Sequence, residues 1–177
     1  IIASIILATT MSDLLLTRLG GNVDLLIMMP LILASVGLIC SVLGILTVRV
    51  FSNSSPEMAL RVGTIGSAVL FIVAAYFTIT TAGVSSSVWI AVLVGAVGGI
   101  VVGLTTEYYT GGAPVRKIAK GGDTGPATVM ITGLAVGMQS VAVPVLAIVV
   151  IIFTANAFAG LYGVGMAAVG MLSTVGI

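Results

Sequence analysis

The chain has 177 residues, 59% hydrophobic and 6% charged, with six Lys and Arg, five Asp and Glu and no histidine. A soluble domain carries about 25% charged residues, so this composition excludes one and leaves an all-α, polytopic transmembrane helix bundle as the fold class. The apolar runs are continuous, which excludes an alternating β-barrel; the missing histidine excludes His-based triads, bases and metal sites; and the net charge of +1 says nothing about nucleic acid, for which no basic–aromatic patch exists and no partner is expected.

In chain order, residues 1–12 read as the end of a membrane helix, with no basic segment ahead of them to make a signal peptide. Residues 13–24 form a polar connection containing Gly20 and Gly21. Residues 25–48 carry no charge and reach about 36 Å at about 1.5 Å per residue, enough to cross hydrocarbon about 30 Å thick. A connection follows from Arg49 to Arg61, then a span at 62–81, the polar turn AGVSSS at 82–87 and a span at 88–110. The loop 111–125 leads to a span at 126–154, with Pro126 suited to a first helical turn and Thr124 or Gly125 to its cap. ANAFAG at 155–160 reads as a turn, and a last partial helix covers 161–177. The expectation is one transmembrane domain over 1–177, with four complete helices and two cut ones. The missing initial Met and the apolar last residues suggest an internal piece of a larger protein.

Successive connections alternate between the two sides of the membrane. One side collects Arg49, Arg61, Arg116, Lys117 and Lys120, whereas the other holds only Arg18. By the positive-inside rule, 49–61 and 111–125 are expected to be cytoplasmic. Trp89 and the pair Tyr108–Tyr109 lie about 28 Å apart along one helix and suit the two aromatic belts.

Gly95, Gly99 and Gly103 recur every four residues, as do Gly133 and Gly137, so both sets mark narrow faces for close helix packing. Pro144 sits mid-span, where it frees a carbonyl and is expected to kink the helix. Gln139 lies near the membrane middle, and its amide needs a partner: another helix, or the lining of a pathway. Cys40 reads as a small buried hydrophobe. Asp123 and Glu57 read as solvated charges near Lys120 and Arg61. Glu107 differs, because it is the only acid attached to an apolar run, at the cytoplasmic boundary, where a carboxylate is a functional candidate.

Four strings appear in order: TTEYYT at 105–110, GPAT at 125–128, GLAVGMQSVAVPVL at 133–146 and LYGVGMAAVGMLSTVGI at 161–177. Together with Pro114–Val115 between the first two, and GLICSVLGIL at 37–46, they resemble the membrane-bound proton- or sodium-pumping pyrophosphatases. The resemblance implies a sixteen-helix fold in two concentric rings, working as a homodimer, with this piece running from the end of the sixth helix through most of the eleventh. It implies hydrolysis of cytoplasmic pyrophosphate to phosphate, coupled to outward H+ or Na+ transport, in an integral protein of a prokaryotic plasma membrane. Such a reaction uses Mg²⁺ ions held by aspartates, and K+ in some members. The aspartate-rich strings of the family lie outside this piece, so no residue here is expected to be catalytic or to bind metal.

The resemblance makes Glu107 an ion-transport candidate through the TEYYT match, and Ser173 and Thr174 through the LST of the inner eleventh helix. Gln139 stands where many members carry a charge, and Gly111–Gly112 where many carry longer polar residues. Two other readings stay open. One is a secondary transporter, for which Gly/Pro-interrupted helices are the mark; the other is a structural membrane subunit beside a catalytic partner.

Overall fold

The computed structural model describes residues 1–10, 17, 19, 22–50 and 56–172, with side chains at all of these but 49–50 and 56–60. Among them, every regular element is a helix: α1 Ile2–Thr9, α2 Val23–Val50, α3 Pro56–Thr81, α4 Ser86–Gly111, α5 Ala113–Gly121 and α6 Pro126–Leu172. α2, α3, α4 and α6 each hold a segment long and apolar enough to cross a membrane. The chain is thus a multi-span helix bundle.

Two connections differ from the sequence reading. The loop expected at 111–125 contains α5, because Gly112 stops α4 and the next residues restart a helix at once. The turn expected at 155–160 shrinks to a break at Ala159 and Gly160. Alanine-rich ANAF is a good helix former and continues the helix to 158. The break is then made by Gly160 at φ 61° and ψ −157°, a region open essentially to glycine alone. Pro144, by contrast, sits inside unbroken helix.

The described chain forms two compact units, residues 1–100 with 151–177, and residues 101–150.

The first unit has a core. α2 buries Leu26, Met29, Leu33 and Cys40, and α3 buries Ala68, Phe71, Ala75 and Ile79. Both sets follow the three-and-four spacing of one helix face. α4 contributes Val88, Val92 and Ala96, and the segment 161–172 contributes Tyr162, Met166 and Val169. The unit is tied by backbone close approaches. Gly63 of α3 faces Val48 and the Gly44 carbonyl of α2, and Gly95 of α4 faces the Ala167 backbone. Trp89 stands edge-on to Tyr76 with ring centres 5.3 Å apart, and its indole N–H donates to the Ile72 carbonyl at 3.3 Å.

Tyr162 repairs a defect in α2. Pro30 has no N–H, so the Leu26 carbonyl, four residues earlier, has no helical donor. The buried Tyr162 hydroxyl donates to that carbonyl at 2.8 Å. In hydrocarbon an unsatisfied carbonyl costs several kcal/mol, so the bond makes Pro30 tolerable within a spanning helix.

The second unit, 101–150, contains no fully buried residue. Met130, Ile131, Leu134 and Met138 are all at least 70% exposed. A surface of that kind would aggregate in water, but in lipid it carries no hydrophobic penalty.

Candidate functional site

The segment from Thr105 to Thr128 is built by an abrupt change of chain direction. α4 ends because Gly112 is extended, at φ −94° and ψ −156°, after its N–H has closed the last turn onto the Tyr108 carbonyl at 3.0 Å. A Cβ at Gly112 would press on that same carbonyl oxygen and reach the Tyr108 ring at 3.2 Å, so glycine is required there. Pro114 then bars any continuation of α4, since it has no N–H for the Thr110 carbonyl, yet it suits the first turn of α5. After α5 the chain turns through 122–124 and passes Gly125 at φ 127°. The first bond of α6 runs from the Val129 N–H to the Gly125 carbonyl at 3.4 Å. The Thr124 hydroxyl does not cap α6; it donates backward to the Gly121 carbonyl at 2.8 Å.

Glu107 is half-buried one turn before the end of α4. Three threonines flank it. Thr105, Thr106 and Thr110 donate their hydroxyls to the carbonyls of Val101, Val102 and Thr106 at 2.7, 2.9 and 2.8 Å. Their polarity is spent within the helix, as an apolar environment demands, so the carboxylate is the strong polar group of this turn. Tyr108 and Tyr109 follow with ring centres 5.4 Å apart and planes at 84°. Arg116, Lys117 and Lys120 are exposed on α5, and Asp123 is exposed just beyond it.

The other candidates fall elsewhere. Gln139 is exposed about 20 Å along α6 from its first residue and makes no hydrogen bond among the described residues. Ser173 and Thr174 lie outside the described residues. Gly95 and Gly99 approach the backbone of Ala167 and Met171, whereas Gly103, Gly133 and Gly137 have nothing within 4 Å of where a side chain would begin. The GxxxG spacing marks a narrow face; a second helix must still come to it.

Close contacts also arise at residues not singled out from sequence. A Cβ at Gly98 would strike Ile151, one at Gly170 the Val92 carbonyl, and one at Gly165 the Ser4 side chain, whose hydroxyl donates to the Gly165 carbonyl at 3.0 Å. The signal available was the glycine density of LYGVGMAAVGML and Ser4 set among apolar residues near the start of the chain. Among the described residues no three acidic or Cys side chains gather in a way that could hold a metal ion.

The sequence signature of the family described as Inorganic H+ pyrophosphatase matches residues 1–177. The chain belongs to this family. Among its relatives, the Putative K(+)-stimulated pyrophosphate-energized sodium pump of Bacteroides thetaiotaomicron is 42% identical over 165 residues, covering 84% of this chain and 22% of the relative. The K(+)-stimulated pyrophosphate-energized sodium pump of Thermotoga maritima is 36% identical over 200 residues, covering 99% of this chain and 28% of its own length. The K(+)-insensitive pyrophosphate-energized proton pump 2 of Moorella thermoacetica is 36% identical over 163 residues, covering 84% and 24%. The chain therefore spans about a quarter of the length of these curated relatives.

Proposed function

We propose that this chain is a largely scaffolding part of a membrane pyrophosphatase that hydrolyses cytoplasmic pyrophosphate to phosphate and drives H+ or Na+ outward. The supporting observation is a family match that runs over all 177 residues. In this reading the chain supplies the end of the sixth helix through most of the eleventh in a sixteen-helix fold. The fold works as a homodimer in a prokaryotic plasma membrane, with 49–61 and 111–125 on the cytoplasmic side. The Mg²⁺ ions that bridge pyrophosphate oxygens, and K+ if it is used, are held by residues beyond this chain. Glu107 acts in ion transport rather than hydrolysis. Its half-buried place at the end of a spanning helix supports that role, because a carboxylate there exchanges protons or holds Na+ where water gives way to protein. Ser173 and Thr174 belong to the polar face of the eleventh helix in the same reading. The charge-free Gln139 excludes a mechanism that depends on a charge at that position.

Relatives named as sodium pumps match at 36–42% identity and relatives named as proton pumps at 33–36%, so the transported ion is read from the pumping assay and not from identity. The test is phosphate release from pyrophosphate by membranes containing the full-length protein, with and without Mg²⁺. Mg²⁺-dependent release supports the reading. No release from correctly inserted protein overturns it and favours a secondary transporter, the reading that the broken helix at Ala159–Gly160 would serve.

A further inference from the structure

α5 is nine residues, about 14 Å long, and cannot cross hydrocarbon about 30 Å thick. Both of its ends are nevertheless held at one membrane boundary. A single residue, Gly112, joins it to the end of spanning α4, and residues 122–125 join it to the start of spanning α6. Tethers this short are compatible with a helix lying along the membrane surface. Its residues are sorted to suit that position. At about 100° per residue, Arg116, Lys117 and Lys120 fall within about 100° of arc, and Pro114, Val115 and Ile118 fall within a similar arc on the opposite side. The three cations are exposed, Pro114 and Ile118 are half-buried, and no residue of the helix is fully buried. The nearest carboxylate beyond the helix is one aspartate, Asp123, against three cations.

We propose that α5 is an in-plane helix in the headgroup layer whose Arg116, Lys117 and Lys120 bind the phosphodiester groups of anionic phospholipids. The tether lengths leave these side chains a few ångströms from the headgroups, well inside a screening length of about 10 Å. Their hydrocarbon stems lie along the boundary while the charged ends reach outward to phosphate. Arg116 adds a planar fork that matches two phosphate oxygens. Near an anionic surface each such cation raises association by about fivefold at low salt. The inference depends on the membrane-spanning helices and on α5, not on the pyrophosphatase reading.

The test uses full-length protein in phosphatidylcholine vesicles doped with spin-labelled phosphatidylglycerol or spin-labelled phosphatidylcholine. The ratio of motionally restricted label gives the relative association of the two lipids. The wild type is expected to prefer phosphatidylglycerol, less so at high salt. The triple variant Arg116→Gln, Lys117→Gln, Lys120→Gln is expected to lower that preference at least twofold. The charge-conserving variant Arg116→Lys, Lys117→Arg, Lys120→Arg is expected to keep it and serves as the folding control. An unchanged preference in the glutamine variant overturns the proposal. So does loss of preference in both variants when both elute as folded protein, since a charge-based preference survives exchange of Arg and Lys. Loss of pyrophosphate binding with lipid preference intact also overturns it and assigns the cations to a soluble anion.

Discussion

Gly95→Ala tests how the first unit is held together. The added Cβ meets backbone: the Ala167 carbonyl oxygen most closely, then its carbonyl carbon at 2.6 Å and its Cα at 2.7 Å. Carbon atoms pack at about 3.5 Å, so α4 and segment 161–172 must part by at least about 0.9 Å. Neither side can rotate away, because both are main chain. A gap of about 0.5–1 Å forfeits about a quarter to a half of each dispersion contact of about 0.1–0.2 kcal/mol. Spread over a face that holds Val88, Val92 and Ala96 against Met166 and Val169, the loss is about 1–3 kcal/mol, the usual range for overpacking. Alanine's better helix propensity returns about 0.5–1 kcal/mol. From the middle of each range the net expectation is a loss of about 1 kcal/mol, or about fivefold in the folding equilibrium. The assay is thermal loss of the monodisperse peak of the full-length protein in one detergent. Gly103→Ala, whose Cβ meets nothing within 4 Å, sets the baseline for the propensity gain. If Gly95→Ala melts with or above wild type, the close approach of α4 to Ala167 is wrong.

Tyr162→Phe should cost about 1–3 kcal/mol, since it leaves the Leu26 carbonyl without a donor; the double variant with Pro30→Ala, which restores the helical N–H, should recover most of that loss in the same melting assay. Gly160→Ala should destabilise by about 1–3 kcal/mol because only glycine fits its φ and ψ, and a variant that melts like wild type would show that the break is not glycine-dependent.

What was legible in the sequence was whatever charge and hydropathy write directly. The spanning helices follow from charge-free runs between polar punctuation, as with Arg61 and the AGVSSS turn on either side of the 62–81 span. Glu107 was visible because a carboxylate attached to an apolar run is costly. Helix α5 was hidden by its shortness: Gly111, Gly112 and Pro114 read as loop, and nine residues give little periodicity. Its sorted cations are clear only once the break at Gly112 fixes where the helix starts. The Pro30–Tyr162 pair was also hidden, since its partners are 132 positions apart and the hydroxyl's target is a backbone atom that no residue type announces. The glycines split for a similar reason. Gly95 and Gly103 share a motif, but only the first has a helix beside it within this chain.

The central claim is pyrophosphate-driven ion transport with Glu107 on the transport side. Its most direct test is pyrophosphate-driven acidification of inverted vesicles holding the full-length protein with Mg²⁺, measured with and without a sodium ionophore, for wild type and Glu107→Gln. The account predicts pyrophosphate-dependent transport in the wild type, and in the variant hydrolysis that continues while transport falls at least tenfold. Unchanged transport in Glu107→Gln would reduce Glu107 to an interfacial charge, and wild-type vesicles that neither pump nor hydrolyse would contradict the account as a whole.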